Sequence, residues 1–478
     1  MYQPLNLFIC LMSYPMANEG AAVFIGRERV SKRWPGHRFG ICAPSLVLAL
    51  AAMPLAAENL SAPPTRAETR NAQDIPGPEA TPSPTPAAVP DGWGRDGLGF
   101  KNGESRVDLK GYAQADFRHF GWEPSEAGPG SLRSAREIRR FRIGIEAELN
   151  RLSLEFVMDP RNSEAGDRLK DATIGYAFSK KVTVLVGHFK PGVSPEFLNS
   201  SSKTDLIDRS MAADRLAPDR EWGLALSGEL GSLFYEVGAF AGDGASSSQS
   251  TESAGTARFT IEPRKGLILG ASFMQGEVKT DPPLGSLEPS PKGAVGRTPS
   301  GFTFWERPHV RGTRQRLGGD AAYSRGPFRI IGEYLQMSEE RRGQGSAGQD
   351  IPGVLGRGWS VQATWILTGE TKAKTIRPRA SIFEGGKGAL EIAARIEGLK
   401  FDDTALPTGL AGYGNRARDI APSGGSVRAL GLNYWASRFL KFQANALWES
   451  YNDPLISPIP GNRGHYFTLS GRIQLMVP

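Results

Sequence analysis

The stretch that decides the fold is "RSAREIRRFRIGIEAEL", Arg133 to Leu149. Five arginines fall within ten residues: Arg133, Arg136, Arg139, Arg140 and Arg142. Phe141, Ile143, Ile145, Ala147 and Leu149 then alternate with Arg142, Gly144, Glu146 and Glu148. A period of two is that of a β-strand, whose successive side chains point to opposite faces. One face of this strand is apolar and the other is charged. In a soluble sandwich the apolar face fills a core and the charged face meets water. In a membrane barrel the apolar face meets lipid and the charged face lines a wet lumen. Alternation alone does not separate the two.

The rest of the chain repeats the pattern. Alternating segments bounded by turn residues fall at 107–120, 136–149, 151–159, 169–178, 181–190, 220–230, 232–241, 254–262, 266–276, 312–323, 326–337, 357–368, 387–400, 424–435, 438–450 and 464–477, sixteen in all. The connections alternate too. "NR" (150–151), "SKK" (179–181), "LGS" (230–232), "PRK" (263–265), "SRGP" (324–327) and "WASR" (435–438) are tight turns. Between them lie long connections at 121–135, 160–168, 191–219, 242–253, 277–311, 338–356, 401–423 and 451–463. One connection, 368–388, is long where the rhythm calls for a short turn. An even number of strands, short turns at one end and long loops at the other predict an all-β fold, a 16-stranded antiparallel transmembrane barrel. Segment 181–190 receives no face, because Val182, Val184 and Val186 conflict with Leu185 and Phe189. Trp305, Trp435, Trp448 and Tyr451 sit at segment ends, as interfacial girdle residues would.

Composition agrees. No run of about 18 apolar residues is present, so no transmembrane helix is expected. Val30 to Asn59 reads as a basic region (Lys32, Arg33, Arg38), an apolar stretch from Ile41 to Leu55 and small residues at Ala56 and Ala57, the order of a secretory signal. The expected domains are a signal region at 1–57, with translation starting near 30, a Pro-rich periplasmic tether at 58–100, and the barrel at 101–478. Both cysteines, Cys10 and Cys42, precede the expected cleavage point, so the mature chain would have neither disulfide nor thiol chemistry. Removing residues 1–56, with five Lys or Arg and two Asp or Glu, would take the net charge from +7 to +4, too mild to suggest nucleic acid. His119, His188, His309 and His465, four of the five histidines, lack metal-ligand spacing, and no catalytic triad, metal site or cofactor is expected.

Several stretches carry a resemblance to a known family. They are "VGHFKPGVSPEFLNSSSKTDLIDRSM" (Val186 to Met211), "APDREWGLALSGEL" (Ala217 to Leu230), "LGGDAAYSRGPFRIIGEYLQM" (Leu317 to Met337), "GKGALEIAARIEGL" (Gly386 to Leu399) and "LGLNYWASRFLKFQANAL" (Leu430 to Leu447). The chain from about residue 100 resembles the phosphate-selective porin O and P family of Gram-negative outer membranes. The resemblance implies a homotrimer in the outer membrane, in contact with lipid and lipopolysaccharide, passing phosphate or other small anions. One departure is the end, "RIQLMVP", where outer-membrane barrels commonly finish in Phe or Trp.

A passive pore needs a narrow place and a field rather than catalytic groups, and this chain is not expected to be an enzyme. Arginine suits oxyanions because its planar fork donates two parallel hydrogen bonds and stays charged. An arginine facing lipid near the midplane would cost about 2–4 kcal/mol. That penalty places Phe141, Ile143 and Ile145 outward and Arg136, Arg140 and Arg142 inward, spaced about 6.5–7 Å per two residues. Arg139, alone on the other parity, is expected near the extracellular rim or in a bulge. On the preceding strand Lys110, Gln114, Asp116 and Arg118 share the inward parity. The loop 191–219, after the fifth strand, is the expected constriction. It brings Arg209 and Arg215, flanked by Lys190 and Arg220. Its own charge is −2, from Lys203, Arg209 and Arg215 against Glu196, Asp205, Asp208, Asp214 and Asp219. The candidate anion-binding residues are therefore Arg118, Arg136, Arg140, Arg142, Lys190, Arg209, Arg215 and Arg220. Alternatives are wall salt bridges in place of an anion ladder, a weakly selective general porin, a non-conducting structural or adhesin-like barrel, and a secreted soluble β protein.

Overall fold

The computed structural model describes residues 92–93, 98–120, 135–162, 168–242, 252–279, 292–345, 348–373, 375–403, 423–452 and 465–477. The expected signal region lies outside them, as do Pro478 and most of the expected tether.

Two short strands, β1 (Gly92–Trp93) and β2 (Leu98–Asn102), precede β3 (Ser105–Phe120). Then follow β4 (Ala135–Leu149), β5 (Leu152–Met158), β6 (Leu169–Ser179), β7 (Val182–Phe189), β8 (Glu221–Leu230), β9 (Leu233–Ala241), β10 (Ala254–Arg264) and β11 (Leu267–Val278). A small hairpin, β12 (Gly296–Arg297) and β13 (Thr303–Trp305), sits in the next long loop. The wall resumes with β14 (Gly312–Arg325), β15 (Phe328–Arg341), β16 (Ile351–Ile366), β17 (Ala389–Asp403), β18 (Ser423–Trp435), β19 (Leu440–Tyr451) and β20 (His465–Val477). Each wall strand pairs antiparallel with the next, and β20 pairs back onto β3, from Thr468 opposite Phe120 to Val477 opposite Gly111. Sixteen strands thus close into a barrel, and closure leaves no unpaired edge in lipid. All sixteen segments read from the sequence are these strands.

The wall begins earlier than residue 101. β20 ends opposite Gly111, and β2 takes over the same edge of β3, with Leu98 opposite Leu109 and Asn102 opposite Ser105. Several of the short turns are built by residues that accept a left-handed backbone, among them Gly231 at φ 66°, Gly326 at φ 56° and Asn150 at φ 60°.

The outward parity is an apolar belt. Ile138, Phe141, Ile143 and Ile145 on β4 are exposed, as are Trp222 and Leu224 on β8, Trp359 and Trp365 on β16, and Ile392 and Ile396 on β17. The girdle expectation holds for Trp448 alone among its four residues; it is exposed and packs against Phe467 at 5.2 Å. Trp305, Trp435 and Tyr451 are buried: Trp305 stacks on Phe401 at 5.1 Å, and Trp435 lies under the Lys441 ammonium at 4.6 Å. They were misplaced because the interior is also partly apolar. Segment 181–190 was unreadable for the same reason. Val186 faces outward, while Phe189 packs inside against Ala225 and Phe240.

One irregularity re-aims a strand. Gln114 pairs with Arg140, but the next residue, Ala115, pairs with Ile138. Arg139 is the extra residue of a β-bulge. It reverses the facing of everything before it, so Arg136 stands opposite outward Phe117 and is itself exposed. The expectation that Arg136 faces the lumen is therefore wrong. Arg139 turns inward in its place.

Candidate functional site

The long loop between β7 and β8 folds into the barrel. Its sequence fixes two short helices, α1 (Pro195–Leu198) and α2 (Met211–Leu216), each started by a serine cap. Ser194 Oγ accepts from Phe197 N–H at 3.1 Å and Ser210 Oγ from Ala213 N–H at 3.2 Å. Met211, Ala212 and Leu216 of α2 pack in one apolar cluster with Leu335, Met337, Leu399 and Phe401 of the wall. Burial of such side chains contributes about 1.5–3 kcal/mol each.

Irregular backbone at membrane depth must have its polar groups satisfied by protein. Here inward side chains of the wall do it, each donating to a loop carbonyl. Gln474 reaches Ser202 (2.9 Å), Lys441 reaches Thr204 (2.9 Å), Asn433 reaches Asp205 (2.7 Å), Arg472 reaches Ile207 (2.9 Å), Arg395 reaches Asp208 (2.9 Å) and Arg316 reaches Leu216 (2.9 Å). Arg472 also holds Asp116 in a two-bonded pair at 2.6 and 2.7 Å.

The loop's carboxylates take the remaining wall cations. Asp208 accepts from Arg118 at 3.3 Å and lies 3.8 Å from Arg139. Glu196 caps Ser210 N–H at 3.0 Å and lies 3.4 Å from Arg395. Asp205 pairs at 2.5 Å with Lys372, which comes from the opposite end of the barrel and also pairs with Glu391 at 2.5 Å. Burial raises the Asp205 and Asp208 carboxyls. Lys372 and Arg329 overcome that at Asp205, and Arg118 and Arg139 at Asp208, so both are held below the ordinary carboxylate value. The loop's net negative charge is thus the sign needed to attach it to a basic wall.

Lys372 belongs to the one long connection at the short-turn end, between β16 and β17. It is buried in the barrel mouth, as is Ile376, which packs with Ile366, Ala389 and Trp435. Loops from the two ends therefore meet inside the barrel at Asp205 and Lys372, and the segment with the β12–β13 hairpin reaches in as well, Ser300 Oγ donating to Glu449 at 2.9 Å.

What stays open lies beside the loop, against strands β3 to β9 and, at the short-turn end, β18 to β20. A cavity of about 960 Å³ occupies the short-turn side, lined among others by Lys110, Tyr112, Arg142, Asp171, Lys190 and Arg220. A smaller chamber of about 120 Å³ lies on the long-loop side. Six arginines line it, Arg118, Arg139, Arg140, Arg209, Arg215 and Arg297, against Asp208 and Asp214. Ser200 and Ser202 line the large cavity and Ser201 the small one. Arg140 faces the small chamber and Arg142, the next inward residue, the large cavity. β4 therefore steps past the serine tip with one arginine on each side.

The candidate residues divide by their partners. Arg140 donates to Gln114 Oε1 at 3.0 Å and, among the described residues, has no carboxylate within 4.0 Å. Arg139, Arg209 and Arg472 are near enough to repel it. Arg142 is loosely held, 3.7 Å from Asp159 and 5.8 Å over the Tyr112 ring. Arg215 pairs with Asp214 at 2.9 Å. Arg220 is neutralised by Asp171 in a two-bonded pair at 2.9 Å. Arg209 holds the loop's own turn, donating to Asn199 O at 2.7 Å. Lys190 does the same, donating to Phe197 O at 2.5 Å, and burial beside Arg209 and Arg220 pushes its amine well below the ordinary value. Lys190 and Arg209 are structural in these contacts, and Arg118 is engaged with Asp208 and with Pro299 O at 3.1 Å. The candidate set left out Arg139; the bulge offered for it is present and turns it inward. The set also missed Arg297, delivered by the β12–β13 hairpin and held by Thr303 at 3.0 Å.

A family profile described as phosphate-selective porin O and P matches residues 107–455, which run from β3 through β19. The chain belongs to this family. It is an outer-membrane porin of Gram-negative type, a channel. No curated protein matches it significantly. Among solved structures, this porin is similar in fold to the outer-membrane protein OmpT of Vibrio cholerae, at 11% identity and a TM-score of 0.47 over 79% of this chain and 99% of that one. It is similar also to the anion-selective porin from Comamonas acidovorans, at 11% and 0.48 over 78% and 100%. A third is the outer membrane channel DcaP of Acinetobacter baumannii, at 11% and 0.48 over 79% and 99%.

Proposed function

We propose that this porin passes small anions, phosphate or a related oxyanion, in preference to cations. The observation that carries the reading is the unpaired Arg140 at the step between the two cavities. Two cations about 7 Å apart repel by about 2–3 kcal/mol at an effective dielectric near 20. An anion between Arg140 and Arg142 relieves that repulsion, and the guanidinium forks donate to its oxygens. Arg139, Arg215 and Arg297 extend the positive field toward the long-loop side. Ser200 to Ser202 offer hydroxyls opposite them, weak partners that let the ion leave again. A homotrimer in contact with lipid and lipopolysaccharide is part of the same reading, as are an exported signal ending near Ala57 and a Pro-rich tether after it.

The test is the reversal potential of the purified porin in a planar bilayer under a KCl gradient. A potential of the sign given by Cl⁻ preference is expected. Zero conductance refutes the channel reading, and K⁺ preference refutes the arginine reading. A second reading, a weakly selective general porin, is favoured by Arg220 and Arg118 being matched by carboxylates. It predicts a reversal potential near zero.

A further inference from the structure

We propose that the turn Ile382–Glu384 is a membrane anchor whose Ile382 and Phe383 side chains sit in the headgroup region of the periplasmic leaflet, with anionic phospholipid as their partner. Phe383 is 71% exposed, more than any other large apolar side chain among the described residues, and Ile382 is 40% exposed. The turn is firmly built. Ser381 N and Oγ both donate to Glu384 Oε2, at 3.1 and 2.9 Å, and Gly386 N–H donates to Ser381 O at 2.8 Å. Ile382 N–H donates to Ala436 O at 2.9 Å, which pins the turn to the neighbouring β18–β19 connection. A fixed backbone that holds two large apolar groups away from the protein calls for an apolar surface to receive them.

The connection crosses the barrel rim. Its first half, with Lys372 and Ile376, is buried in the mouth. Its second half runs toward the outer face, where Tyr434 donates its hydroxyl to Lys387 O at 3.1 Å. Tyr434 stacks on Phe442 at 6.4 Å in the outward belt, and Trp365, Leu367 and Phe439 are exposed at the same end. The apolar turn is thus continuous with the lipid-facing surface. Arg379, Lys387 and Arg438 flank it against Glu384 and the buried Glu370, which accepts from Arg379 N–H at 3.4 Å, and an excess of cations draws an apolar wedge to anionic headgroups. The inference is independent of which solute the pore passes.

The experiment uses the full chain with Cys10→Ser and Cys42→Ser, so that an introduced cysteine carries the only label. A nitroxide is attached at Phe383→Cys, or as a control at Lys265→Cys in another short turn. The porin is reconstituted in vesicles of phosphatidylethanolamine and phosphatidylglycerol. Collision with oxygen, which concentrates in lipid, is compared with collision with a water-soluble nickel chelate. Oxygen is expected to exceed nickel several-fold at 383, with the order reversed at 265. Nickel dominance at 383 overturns the proposal, and so does exclusion of both reagents, which would mean a covering protein. Adding Arg379→Glu and Lys387→Glu should raise nickel access to the 383 label several-fold in these vesicles, and leave it unchanged in pure phosphatidylcholine. No rise in the anionic vesicles overturns the headgroup contact.

Discussion

Lys372, from a loop at the short-turn end, meets Asp205, from a loop at the long-loop end, at 2.5 Å inside the barrel. The pair joins the two inserted segments, and Glu391 of the wall completes it at 2.5 Å. Replacing Lys372 by methionine takes from Asp205 and Glu391 the cation that contacts both. Breaking such a group typically costs about 3–5 kcal/mol. Lys372→Met should lower the thermal stability of the folded barrel and give larger, noisier single-channel currents as the loop tip loosens. Unchanged melting and unchanged current noise would show that the pair holds nothing.

The same contacts set a pH window. Asp205 and Asp208 titrate below the ordinary carboxylate range because neighbouring cations outweigh the burial that raises them. Their stabilisation is complete above the unfolded value of about 3.9 and is lost as pH falls through the lower folded values. Lys372 is the mirror case. Burial lowers it, Asp205 and Glu391 outweigh that, and its amine is raised, so its contribution is lost only at pH above about 10.4. The stability that Lys372→Met removes should therefore be the same at about pH 8 and about pH 5 and shrink only in stronger acid. A loss that disappears between those values would contradict the attachment described.

Arg136 and Arg140 test the bulge. The two share sequence parity, yet Arg136 faces outward and Arg140 inward because Arg139 is the extra residue. Arg136→Glu should leave the reversal potential unchanged, while Arg140→Glu shifts it toward cations. Equal shifts from the two would mean that β4 runs without a bulge.

Arg472 ties three parts together, with two bonds to Asp116 of β3 and one to Ile207 O of the loop. Arg472→Leu strands the Asp116 charge in a buried place, at a cost of about 3–5 kcal/mol. Adding Asp116→Leu removes that stranded charge and should recover most of the loss, leaving about 1–2 kcal/mol for the missing bond to the loop. Urea unfolding in detergent measures both. A double variant no more stable than the single one would contradict this division.

The wall was legible because lipid enforces strict alternation, and the turn rhythm then counted the strands. Its exceptions follow physical causes. Val182 to Phe189 carries apolar residues on both faces because Phe189 packs inside against Phe240 at 5.2 Å. Arg136 was misassigned because parity was carried through a bulge. The signal was present: Ile138 and Phe141 are both outward and three residues apart, an odd spacing no regular strand allows. The loop charge was read correctly as −2, but its meaning depends on Arg118, Arg395 and Lys372, which are distant in sequence and adjacent only after closure. The connection 368–388 was recognised as irregular; nothing local in it announces that Lys372 enters the mouth.

The reversal potential of Arg140→Glu with Arg142→Glu, beside the unmodified porin in the same KCl gradient, measures the arginine step directly. The unmodified porin should show Cl⁻ preference and the double variant a loss or reversal of it, at comparable conductance. The same reversal potential in both proteins would mean that Arg140 and Arg142 are only parts of the wall.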